Sequence, residues 1–113
     1  MNVLNQVIKE NYSLYNGDSC EIMTTIPDNS IHYSIFSPPF ADLYVYSNSE
    51  RDMGTCKSKS EFYEHFRFIV KELYRIMMNG RLVSFHCMNL PTSKQRDGFI
   101  GITDFRGELI RLF

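Results

Sequence analysis

The chain has 113 residues, 43% of them hydrophobic and 22% charged, with a formal net charge of −1. That length supports one core and one domain at most, and near-neutrality does not announce a nucleic-acid binder, which would usually be basic overall or show a basic stripe. No apolar run approaches the roughly 20 residues of a membrane span, and Met1–Gln6 lack the basic region and apolar stretch of a secretion signal, so a cytoplasmic protein without a membrane partner is expected.

The first predicted element is a strand over Tyr12–Tyr15, ended by the turn pair Asn16-Gly17. Asp18 follows, with Glu21 three positions on. This is close to a capping box and predicts a short helix from Ser19 to Thr25, closed off by Pro27. After a turn at Asp28-Asn29-Ser30, Ile31–Phe36 reads as a second strand that runs straight into Ser37-Pro38-Pro39-Phe40. Neither proline has an N–H to offer a ladder, and each has its φ fixed, so the strand must stop there. Residues before proline are pushed to extended geometry. The result is a rigid corner, rich in acceptors and poor in donors, with an aromatic ring just beyond it. In open α/β folds, ligands bind outside the carboxyl ends of the strands. Such a corner suits a planar group that offers N–H bonds, such as the amino edge of a nucleobase.

Ala41–Lys57 has no clear period and reads as a long loop, a length that is usually functional or mobile in a compact domain. Ser58-Lys59-Ser60-Glu61 is a capping box. It opens the clearest helix, with Phe62, Phe66, Ile69, Val70, Leu73, Ile76 and Met77 on one face and Asn79-Gly80 as its expected end. A third strand is expected over Arg81–Met88 and a loop over Asn89–Thr103. Asp104 then caps a helix from Phe105 onward. Strands and helices in alternation argue for a parallel sheet covered by helices. Three strands make a small sheet, and the last helix has no stop signal, so residues 1–113 read as one incomplete domain.

Cys20, Cys56 and Cys87 are odd in number and form no C-x-x-C pair, so neither a disulfide framework nor a metal site is expected. His86, in the third strand beside Cys87, reads as a core or hydrogen-bonded histidine, not a metal ligand.

Three segments together, Asn16-Gly17-Asp18-Ser19-Cys20-Glu21, Ile26-Pro27-Asp28-Asn29-Ser30-Ile31 and Ser37-Pro38-Pro39-Phe40, resemble the start of an amino-DNA methyltransferase. The likeness continues through the long helix, the strand ending in His86-Cys87-Met88, and Asp97-Gly98-Phe99-Ile100-Gly101. It implies a partial Rossmann-like α/β fold with a mostly parallel sheet, S-adenosylmethionine as methyl donor and double-stranded DNA as partner. The methylated atom would be the exocyclic nitrogen of cytosine (N4) or adenine (N6). By this resemblance the Ser37 hydroxyl and Pro38 carbonyl accept from the target amine, and Pro39 and Phe40 complete the motif. Phe40 stacks on a base flipped out of the duplex, and Asp18 lies near the donor's adenosine. Tyr44, Tyr46, Arg51, Lys57, Lys94 and Arg96 are candidate DNA contacts; as ordinary loop side chains they are equally well explained.

The chain departs from the family in its glycines. They stand at 17, 54, 80, 98, 101 and 107, with no G-x-G turn for close approach to the donor. The order fits permuted members, in which the catalytic half precedes the donor-binding half; the latter would follow Phe113 or be supplied by a second copy. Two other readings stay open. One is an inactive remnant that acts as a DNA-binding or protein-interaction module. The other is an unrelated α/β domain whose prolines only end a strand.

Overall fold

The computed structural model describes residues 3–39 and 59–113. Its elements in chain order are β1 (Val3–Ile8), β2 (Ser13–Gly17), α1 (Ser19–Met23), β3 (Ile31–Phe36), α2 (Lys59–Ile76), β4 (Met77–Phe85), β5 (Leu90–Thr92), α3 (Lys94–Asp97), β6 (Gly101–Thr103) and α4 (Phe105–Leu112). The α/β class is as expected, and the expected parallel pairing is met in part. Among the described residues there are three two-stranded sheets, and only β3–β4 is parallel.

The reason lies in the connections. β1, which the sequence reading missed, joins β2 through four residues held by Lys9 N–H donating to the Tyr12 carbonyl at 2.8 Å, and the two strands pair antiparallel. A link that short cannot make the crossover that parallel strands require, whereas β3 and β4 are separated by α2. The expected loop over Asn89–Thr103 likewise holds a short antiparallel pair, β5–β6, around the single turn of α3.

The third strand begins earlier than expected, at Met77, because α2 ends at Ile76 and not at Asn79-Gly80. Its last carbonyls are claimed from outside the helix: the Asn29 N–H donates to the Arg75 carbonyl (3.0 Å) and the Ser30 N–H to that of Ile76 (2.8 Å). Such capture satisfies acceptors that every helix end leaves open. Between the pairs Ile31–Met77 and Tyr33–Leu82, β4 accommodates three more residues than β3, and Gly80 takes φ +74° within that bulge. Glycine adopts this left-handed geometry without the usual Cβ penalty.

Arg75 fixes α1 to α2. Its guanidinium donates to the Met23 and Ile26 carbonyls at 2.8 and 2.9 Å and pairs with Glu72 (2.8 Å) and Asp28 (2.5 Å). These carboxylates hold its pKa above the ordinary arginine value, the Glu72 hydrogen bond contributing most.

The apolar spacing on α2 does what it predicts. Phe62 and Phe66 are fully buried against Leu90, Phe105 and Leu109, with Phe36, Ile69, Val70 and Phe85 packed around them. α4 is capped as expected, by Asp104 accepting from the Gly107 N–H at 3.0 Å. One face of β3–β4 is thus covered by α2 and α4. The other carries Ile35 and Leu82, 72% and 71% exposed, although parallel strands are ordinarily covered on both faces. No helix among the described residues is long and apolar enough to cross a membrane.

Candidate functional site at the carboxyl ends of the parallel strands

The last register pair of the parallel sheet is Phe36 with Phe85, so the residues one step beyond, Ser37 and His86, leave the sheet side by side. The His86 N–H donates to the Phe36 carbonyl at 2.9 Å and extends the ladder by one bond. Pro38 cannot take part in any further rung, and the chain turns out of the sheet with Pro38 buried and Pro39 half-buried. Ser37 itself is exposed. Its Oγ lies 3.3 Å from His86 Nδ1 and 3.4 Å from the His86 carbonyl oxygen.

The corner rests on an aromatic floor. The Phe36 ring packs on Phe66, 6.3 Å away with the planes 29° apart, and on Phe85 at 6.2 Å. Phe85 stacks in turn on Phe113 at 5.5 Å. Core packing therefore sets the position of the residue just before Ser37. Two residues past the other strand, Cys87 is half-buried against the same core, and loss of water raises its thiol pKa, partly offset by the positive charge of Arg106.

Asp18 stands at the end of β2, in a different sheet from Ser37. Its Oδ1 accepts from the Cys20 N–H at 2.9 Å and the Glu21 N–H at 3.4 Å, so it caps α1, as its place before Ser19 predicts. Of the candidate DNA contacts, Lys94 is exposed on α3. Arg96 is committed to its own segment, donating to the Pro91 carbonyl at 2.9 Å and to Asp97 Oδ2 at 3.1 Å. Asp97 also accepts from the Ser93 N–H (2.9 Å) and meets Lys59 at 3.5 Å, which ties the start of α2 to the β5–β6 unit. The Ser93 bond, more than the flanking Arg96 and Lys59, holds the Asp97 carboxyl below its ordinary pKa; burial opposes it. Phe40, Tyr44, Tyr46, Arg51, Lys57 and Ser58, the expected cap of α2, lie outside the described residues.

A groove of about 490 Å³ opens elsewhere, between α2, the start of β4 and the end of α4. Arg67, Lys71, Arg81 and Phe113 are among its walls, and none of the predicted site residues that the structure describes lines it. The association of His86 with Ser37 is what sequence reasoning missed. The sequence gives His86 as a hydrogen-bonded or core residue but names no partner for it. The strand register would have supplied that partner.

No family model matches the chain. It is 30% identical over 66 residues to the type II methyltransferase M.SfiI of Streptomyces fimbriatus, a match that covers 58% of this chain and 15% of that protein. Among solved structures it is similar to TTHA0409 from Thermus thermophilus, assigned as a DNA modification methylase. The TM-score is 0.61 at 14% identity, over 85% of this chain and 36% of the other. The same protein in complex with S-adenosyl-L-methionine gives a TM-score of 0.62 at 18% identity, with the same coverage. The chain thus shares the fold of part of TTHA0409 and spans about a third of the length of that structure.

Proposed function

We propose that this chain is the catalytic-region part of an amino-DNA methyltransferase. It would transfer a methyl group from S-adenosylmethionine to the N4 of cytosine or the N6 of adenine in double-stranded DNA. The observation that carries this reading is the exposed Ser37 hydroxyl just beyond a parallel strand and immediately before the two prolines. The likeness to M.SfiI and TTHA0409 supports it.

An exocyclic amine is a poor nucleophile because its lone pair is delocalised into the ring. Two acceptors aimed at its hydrogens, the Ser37 Oγ and the Pro38 carbonyl, favour a pyramidal nitrogen whose lone pair is free to attack. In the transfer a bond forms from that nitrogen to the methyl carbon and the carbon–sulfur bond breaks. The sulfur would keep the electron pair of the broken bond and leave as a neutral thioether, and the methylated nitrogen would lose its extra proton to solvent. Phe40 would stack on the flipped base, worth about 1–3 kcal/mol for such a contact. Tyr44, Tyr46, Arg51, Lys57 and Lys94 remain candidate DNA contacts, and Arg96 would have to serve while bonded to Pro91 and Asp97.

S-adenosylmethionine, when bound, supplies an electrophilic methyl group on a sulfonium. Its ribose hydroxyls and adenine amino group are donors, and a half-buried carboxylate such as that of Asp18 is an acceptor only. Asp18 thus fits an adenosine, and the glycine turn would come from the remainder of a permuted enzyme, in the same polypeptide or a second copy. The bare face carrying Ile35 and Leu82 favours a second reading, an inactive remnant that acts by interaction. Methyl transfer to duplex DNA by the full gene product, lost in Ser37→Ala, is the result expected. DNA retention in a gel shift with no transfer under any condition would favour the remnant.

A further inference from the structure

The hydroxyl of a serine is amphoteric: one hydrogen to donate and two lone pairs to accept with. An amine that must be held by its hydrogens needs only the lone pairs, and a hydroxyl pointing its own hydrogen at the amine nitrogen would tie up the pair that has to attack. Something must therefore take the Ser37 hydrogen. Among the described residues two atoms lie within reach of it, His86 Nδ1 at 3.3 Å and the His86 carbonyl oxygen at 3.4 Å. If Nδ1 is bare, the hydroxyl donates to it. If Nδ1 carries the proton, it donates to Oγ, and the hydroxyl hydrogen is left to the carbonyl, which can only accept. Both tautomers turn the hydrogen toward His86 and the remaining lone-pair density away from it.

We propose that His86 is a positioning residue that makes the Ser37 hydroxyl an acceptor toward the target amine. The inference rests on the methyltransferase reading above. It assigns His86 no contact with substrate. The register of the parallel strands enforces the arrangement, because Phe36 pairs with Phe85 and the His86 N–H bonds the Phe36 carbonyl, placing residues 37 and 86 abreast.

The test is a double-mutant cycle in the full gene product, with kcat and KM measured separately for duplex DNA. Losing a neutral hydrogen bond with the backbone carbonyl still present predicts a fall in kcat of about three- to tenfold for His86→Ala, with KM for DNA unchanged. In a Ser37→Ala background, His86→Ala should cost nothing further. Asparagine places a polar atom near the former Nδ1 and glutamine near Nε2, so His86→Asn should recover most of the loss and His86→Gln little. Losses that multiply in the double variant, or equal recovery by the two amides, would overturn the assignment. A second readout needs no activity. The His86 imidazole ¹⁵Nδ1 resonance should move on Ser37→Ala, and an unmoved resonance would also overturn it. If the wild-type protein transfers no methyl group, the functional reading falls on its own, and that resonance still decides whether His86 orients Ser37.

Discussion

Replacing Phe66 by alanine tests how the core seats the site. The ring is fully buried and lies 5.8 Å from Phe62, 6.3 Å from Phe36 and 6.1 Å from Phe113. Deleting a buried phenylalanine ring typically costs about 3–5 kcal/mol through lost transfer energy and the cavity left behind. Whole domains are stable by only about 5–15 kcal/mol, so the loss is about a fifth of the total or more. For a chain of this size it corresponds to a fall in Tm of roughly 10–20 °C. Urea unfolding followed by far-ultraviolet circular dichroism measures it, with Tyr74→Ala as control. Tyr74 is on the same helix but 87% exposed, and its loss should stay within about 0.5 kcal/mol. If Phe66→Ala cost less than about 1 kcal/mol, well below the usual range for such a site, the aromatic floor under Phe36 would not be what orders the corner.

Three further outcomes follow from local geometry. Asp97 has a folded pKa below its unfolded value, so its stabilising contribution is present above about pH 4 and is lost as pH falls through the folded value; the stability gap between wild type and Asp97→Asn should close on acidification, and a constant gap would refute the assignment. Burial keeps the Cys87 thiol protonated above its ordinary range, so alkylation near pH 8 should be far slower in the native protein than in urea; equal rates would contradict this. Gly80→Ala meets no atom within 4 Å and should cost only the left-handed backbone penalty, about 1–2 kcal/mol; a neutral result in urea unfolding would show that the β4 bulge does not require φ +74°.

What could be read from the residues was whatever local chemistry decides. The apolar stripe from Phe62 to Ile76, the caps Asp18 and Asp104, and the stop at Pro38 each follow from a side chain's own preferences. β1 escaped because Val3–Ile8 lies exposed in a hairpin and carries no burial pattern to recognise. The start of β4 was misplaced because the end of α2 is decided by amides from residues 29 and 30, some 46 positions upstream of its last carbonyls. The Ser37 corner was legible, but its partner was not. The Ser37–His86 contact spans 49 positions and exists only through the register of β3 on β4.

The central claim is that Ser37 and Pro38 present acceptors to an exocyclic amine. Its most direct test is the chemical identity of the product. Duplex DNA incubated with the full gene product and labelled S-adenosylmethionine is digested to nucleosides, which are separated and identified by mass. The account predicts label in N4-methylcytosine or N6-methyladenine, absent with Ser37→Ala. Label on a ring carbon, as in 5-methylcytosine, or undiminished labelling by the Ser37→Ala protein, would contradict it.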